Sequence, residues 1–223
     1  MLTKQQVERA IYLDFEGRAS SKRGAAAPDA TFAGFTQEGK HSFVVLDERF
    51  KGAADAKGGS FEPLAEFAAR LIDRAREEER IIIHWSSREA QVFEDQELPL
   101  GHAGFDLLGP TKKAMRHVFR DHREAQKELK RASSKTARKK VSVRRLYGQC
   151  VRCAEEHGRE VPSSYGWGKV GQWIRDCEAQ AGRAYSDCSP GVKKKWSKLL
   201  SHNRLDCRAM EILARQYAVA RRP

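Results

Sequence analysis

Residues Ala10–Gly17, Ala-Ile-Tyr-Leu-Asp-Phe-Glu-Gly, alternate without a break: Ile11, Leu13 and Phe15 share one face, Tyr12, Asp14 and Glu16 the other. A period of two marks a strand, and here it aims two carboxylates in one direction. A chain carrying this segment must build a sheet around it and then deal with two neighbouring negative charges. One outcome is an ordinary solvated strand face, the plainer reading of an isolated Asp-x-Glu. The other is ligation of hard divalent cations, which favour carboxylate oxygens and need more than two of them.

Downstream, Ala30–Phe35 and Ser42–Leu46 are extended runs on either side of Gln37-Glu38-Gly39-Lys40, a turn, so three strands form an antiparallel meander. Arg18–Asp29, between the first two, is a small basic loop. From Ser60 the period becomes helical. Ser60 is the expected N-cap, Pro63 falls in the first turn, and Phe61, Leu64, Phe67, Ala68, Leu71 and Ile72 make one face. Ile81–Trp85 is apolar enough for a buried strand, and Ser86 followed by Glu89 opens another helix through a capping box. Ala103–Leu108 is the expected fifth strand. The chain of 223 residues is 40% hydrophobic, enough for one core. The expectation is a single α/β domain over residues 1–223, a mixed five-stranded sheet flanked by helices.

The net charge of +12 is concentrated: Thr111–Arg145 holds 14 Lys or Arg against three acids. This stretch is the expected basic helical insertion, about 111–145, and a helical, cysteine-containing region, about 146–200, follows, with Val170, Trp173 and Ile174 on one face. Such charge points to an anionic partner, nucleic acid or an acidic membrane surface. No run reaches the roughly 18 apolar residues of a spanning helix, and Met1–Arg9 lacks a signal peptide's apolar core, so no membrane association and a cytoplasmic location are expected. Five cysteines, an odd count, favour reduced thiols over a disulfide framework. The alternative is a structural Zn²⁺ on Cys150 and Cys153, with His157, Cys177 and Cys188 as further donors.

Ser201–Arg221 is the expected closing helix, its apolar positions Leu205, Ala209, Ile212, Leu213 and Tyr217 recurring at helical spacing. Within it His202 and Asp206 stand four apart, one turn apart on the same side. Asp206 has an alternative reading, a first-turn acid complementing the helix dipole. Glu89 has one too, closure of the capping box that Ser86 begins.

Three segments in this order, Ile11-Tyr12-Leu13-Asp14-Phe15-Glu16-Gly17, His84-Trp85-Ser86-Ser87-Arg88-Glu89 and His202-Asn203-Arg204-Leu205-Asp206, carry a resemblance. The chain resembles the DEDD (DnaQ-like) superfamily of ribonuclease-H-like 3′–5′ exonucleases, especially the branch of predicted ribonuclease-H-like domains found in bacterial RecB-related nucleases. That branch has Glu where the wider superfamily has its second-motif Asp, as at Glu89. Its last motif is commonly Tyr-Asn-x-x-Asp, and His202 stands here in place of the tyrosine. Phe105-Asp106-Leu107 is similar to the segment that begins the family's fifth strand.

The resemblance implies a metal-dependent nuclease of the bacterial cytoplasm with a role in DNA repair. Asp14, Glu16 and Asp206 would hold two Mg²⁺ or Mn²⁺ ions, Glu89 would complete the shell, and His202 would orient the attacking water. A structure-selective endonuclease on the same fold and a catalytically inert nucleic-acid-binding module are the competing readings. The partner is nucleic acid, DNA or RNA, with a helicase or repair protein left open. Candidate phosphate contacts are Arg138, Lys139 and Lys140 of the basic stretch, Lys193, Lys194 and Lys195 before the last motif, and Lys169, which follows Tyr165 and Trp167. The bland counterparts are a solvated arm and a turn over the core.

Overall fold

The computed structural model describes residues 2–17, 30–114, 124 and 170–219. Strand β1 (Ile11–Gly17) lies inside a six-stranded mixed sheet, entered from helix α1 (Lys4–Arg9), which Thr3 and Gln6 close with a reciprocal capping box. β2 (Ala30–Gln37) pairs antiparallel with β1, and β3 (Lys40–Val45) antiparallel with β2. Glu38 and Gly39, with φ of 51° and 76°, make the turn between them; two left-handed residues match the twist of the flanking strands. On the other side of β1, β5 (Ile82–His84) and then β6 (Gly104–Asp106) run parallel.

The sixth strand departs from the five expected. Ser60 does not cap a helix: Ser60–Phe61 form β4, a two-residue strand parallel to β3 at the sheet edge. Helix α3 (Leu64–Glu77) starts only after Pro63. Proline bars the residue before it from helical backbone, so Glu62 stays extended and its N–H donates to the Val45 carbonyl at 3.1 Å. The sheet order is β4-β3-β2-β1-β5-β6.

Among the described residues the remaining α-helices are α2 (Lys51–Lys57), α4 (Ser87–Glu94), α5 (Leu108–Ala114), α6 (Val170–Glu178) and α7 (Pro190–Val219). α7 begins eleven residues before the expected Ser201. Its start signal is Ser189-Pro190: the Ser189 hydroxyl accepts from Val192 N at 3.4 Å, and proline suits a first helical position. Ser201 instead donates its hydroxyl back to the Ser197 carbonyl at 2.8 Å, as a serine inside a helix can. At about 1.5 Å per residue, α7 is roughly 45 Å long. Among the described residues no helix is long and apolar enough to cross a membrane.

Both faces of the sheet are covered. On one, Ile11, Leu13 and Phe15 of β1 join Phe35, Val44 and Ile82 against Phe67, Leu71 and Ile72 of α3 and Phe93 of α4. On the other, α7 spans two separate apolar clusters. Val192, Trp196 and Leu199 pack with Phe32, Val45, Phe50 and Trp173, while Cys207, Met210 and Leu213 pack with Val7, Tyr12 and Ile83. The inward stripe of α7 thus continues at helical spacing but is apolar only toward its ends. In the gap lie His202, Asn203 and Asp206, opposite Asp14 and Glu16.

Candidate metal centre beneath helix α7

The alternation that places Tyr12 in the apolar cluster places Asp14 and Glu16 on the same face of β1, one and two steps further along. They are not a solvated strand face, for Glu16 is 8% exposed. Nor is Asp206 a first-turn acid, since α7 begins at Pro190 and carries it mid-helix. One turn apart, His202 and Asp206 both point to β1: His202 Nε2 lies 3.4 Å from Asp206 Oδ2 and 3.8 Å from Glu16 Oε1. Glu16, His202 and Asp206 each offer one ligand atom, all within 4.8 Å of one another, a group that could hold a metal ion. Ligands sharing one ion at about 2.0–2.2 Å stand roughly 3–4 Å apart, so the spacing suits the task. Glu16 Oε1 is buried with no hydrogen-bond partner among the described residues, an acceptor that a cation would satisfy.

The electrostatics agree. Burial first, then repulsion from Glu16, Asp206 and Glu89, raises the Asp14 carboxyl well above its ordinary range. Burial and Asp206 do the same to Glu16, with Arg88 opposing. Asp206 is pushed up to about 8 by burial and by Glu89. His202 goes the other way, down to about 4 through burial, so its ring is uncharged at neutral pH. Carboxyls that suppress one another's ionisation in a dry site are what a divalent cation relieves.

Asp14 and Glu89 adjoin this group in different ways. Asp14 Oδ2 accepts from Asn203 Nδ2 at 2.9 Å. Glu89 fulfils both of its readings: its Oε2 accepts from Ser86 N and Ser86 Oγ, each at 2.9 Å, closing the capping box of α4, while its charge acts on all three other acids. Asp106 caps α5, its Oδ1 accepting from Leu108 N at 2.8 Å.

The expected phosphate contacts divide. Lys195 pairs with Asp176 of α6 at 2.8 Å, and Lys193 donates to the Ser186 carbonyl at 2.6 Å and covers the Tyr185 ring, so both brace α7 against its neighbours. Lys194 is exposed. Arg138, Lys139, Lys140, Lys169, Cys150, Cys153 and His157 lie outside the described residues, as does most of the basic segment. Cys177 and Cys188 are buried free thiols, Cys177 raised to about 12 chiefly by burial, and among the described residues neither joins a metal-ligand group.

Several residues at the site carried no role in the sequence reading. Trp173 sets its ring edge-on to His202, centroids 6.5 Å apart, and Lys198 lies 5.5 Å over that indole, one turn before His202. Arg88, exposed on the first turn of α4, is the cation that opposes the protonation of Asp14 and Glu16. Asn203 is fully buried. A polar residue at an inward position of an amphipathic helix was the available signal for it. Comparison of the chain with protein-family models, with curated proteins and with solved structures found no match.

Proposed function

We propose that the chain is a divalent-metal-dependent nuclease of ribonuclease-H-like fold, hydrolysing phosphodiester bonds of nucleic acid as a 3′–5′ exonuclease. The observation that carries this reading is the convergence of Glu16, His202 and Asp206 within 4.8 Å, adjoined by Asp14 and Glu89, in a gap of the apolar core. A protein that only needed to fold would fill that gap with apolar side chains, because buried uncompensated acids are destabilising. The strand order supports the fold assignment: an antiparallel β1-β2-β3 meander extended across β1 by parallel β5 and β6, with the acids on β1. β4 is then an addition at the β3 edge.

Asp14, Glu16 and Asp206 would hold two Mg²⁺ or Mn²⁺ ions, with Glu89 completing the shell. When bound, the ions supply Lewis-acid stabilisation of the phosphate and a water ionised near neutral pH. The chain's own part is orientation. His202, held uncharged by burial and walled by Trp173, orients the attacking water through Nε2 and adds no positive charge to compete with the cations. Lys194, Lys198 and the basic segment from Thr111 to Arg145 supply phosphate contacts that position the strand without reading bases.

The test is incubation of end-labelled single- and double-stranded DNA and RNA with Mg²⁺ or Mn²⁺. Wild-type protein is expected to shorten a substrate from its 3′ end; Asp14→Asn and Asp206→Asn are expected to bind it and leave it intact. Undiminished cleavage by both variants refutes the site. Cutting of a closed circle replaces exonuclease with endonuclease. Salt-sensitive binding without Mn²⁺ binding or cleavage identifies an inert binding module.

A further inference from the structure

Asn203 stands where the inward stripe of α7 calls for an apolar side chain, between Leu199 and Cys207, and it is fully buried. Its Nδ2 donates to the main-chain oxygen of Asp14 at 3.0 Å and to Asp14 Oδ2 at 2.9 Å. One amide thereby fixes the backbone and the side-chain torsion of the same acid. The other end of the amide occupies a slot. Gly34 of β2 pairs with Asp14 across the sheet, and a methyl placed on it would lie 1.4 Å from Asn203 Oδ1 and 3.0 Å from His41 Cε1. Gly34 has ordinary strand backbone, so its missing side chain serves this close approach and not a turn.

We propose that Asn203 is a positioning residue for Asp14, admitted to the sheet by Gly34, and that it sets the affinity of the site for divalent cations without touching them. In this proposal Oδ2 stays with the amide, and the second oxygen of Asp14 is the one that would meet a cation. The inference rests on the metal-site reading above and adds to it a pair of residues outside the acid constellation. It also assigns a reason for glycine in the middle of strand β2.

The experiment is calorimetric titration of the metal-free protein with Mn²⁺, paired with thermal melting. It compares wild type, Asn203→Ala, Asn203→Leu, Gly34→Ala and the double variant Asn203→Ala/Gly34→Ala. Each single variant is expected to weaken Mn²⁺ binding about 10–100-fold, the usual loss when a partner that orients a ligand is removed. The double variant is expected to bind as Asn203→Ala does, because a methyl at position 34 has nothing to displace once the amide is gone. Asn203→Leu fills the slot without a donor and decides the matter if the alanine variant is too unstable to titrate. Lowered melting temperatures with unchanged Mn²⁺ affinity mean a merely packing role and overturn the inference alone, as do additive losses in the double variant. A wild-type protein that binds no Mn²⁺ overturns the metal-site reading and this inference together.

Discussion

Without divalent metal, the stability of this protein should fall as pH rises from about 6.5 to 8. Asp206, ordinarily ionising at 3.8, is held protonated to about 8 in the fold. Between those values the folded chain binds a proton that the unfolded chain has released, so rising pH favours unfolding by about 1.4 kcal/mol per pH unit for each such group. Asp14 and Glu16 act in the same sense. His41 and His202 act oppositely: each is lowered from 6.5 to about 4, so the unfolded chain binds the extra proton below 6.5, and stability rises with pH through that range. Above 6.5, where the unfolded histidine is at most half protonated, each opposes by only about 0.4 kcal/mol in all. Cys177 begins to matter only above its ordinary 9.0. The window from 6.5 to 8 therefore isolates the carboxyls, and Asp206 alone contributes about 2 kcal/mol across it, or roughly 4–8 °C in melting temperature for a chain of this size. Mn²⁺ at a hundredfold excess over its Kd adds about 2.7 kcal/mol and, by displacing the protons, should turn the slope upward. Differential scanning calorimetry at several pH values, with chelator and with Mn²⁺, gives the two curves; Asp206→Asn should flatten the first. A metal-free melting temperature that holds level or climbs between pH 6.5 and 8 would refute the buried acid cluster.

Glu89 separates its two roles by substitution. Glu89→Gln keeps an acceptor for Ser86 and should leave thermal stability within error while weakening Mn²⁺ binding, whereas Glu89→Ala should lose about 0.5–2 kcal/mol of stability as well, both read by melting and titration. Phe67→Ala, removing a fully buried ring that packs on Phe15 and Phe35 at 6.1 and 6.2 Å, should cost about 3–5 kcal/mol in denaturant unfolding without altering Mn²⁺ affinity. Neutralising Arg138, Lys139 and Lys140 together should reduce the slope of log binding constant against log salt on duplex DNA by about 2–3, and an unchanged slope removes the basic segment from the interface.

The sheet's centre is legible in the sequence because β1 is an uninterrupted alternation, and alternation survives any tertiary context in which both faces are used. The same holds for the hairpin, where Glu38-Gly39 can take the left-handed conformation. Legibility fails where a local signal has two sufficient explanations. Ser60 and Ser201 each look like helix caps; Pro63 keeps the first extended, and Ser189-Pro190 starts the second helix far upstream. Asp206 then ceases to be ambiguous, because an acid in mid-helix has no dipole to complement. Glu89 is ambiguous for a different reason: both explanations are true at once. Gly34 is hidden, and so is what Asn203 does although the residue stands in the last motif, because both depend on a contact between a central strand and the last helix.

The position of the acids along α7 follows from what holds the helix down. Buried carboxyls repel one another once ionised and, without cations, work to lift α7 from β1 as pH rises toward 8. Against this, α7 is packed on both sides of the gap: Val192, Trp196 and Leu199 toward its start, Cys207, Met210 and Leu213 toward its end. Each large apolar side chain buried there stabilises the contact by about 1.5–3 kcal/mol, so the clusters on both flanks together outweigh a few kcal/mol of repulsion between them. A site at the helix's first turn would have an anchor on one side only, and its acids could relax by fraying that end. Placing His202 and Asp206 mid-helix denies them that escape and holds them beside Glu16. The polar gap in the apolar stripe of α7 is thus the price of preorganisation, and the helix's length is what makes it bearable.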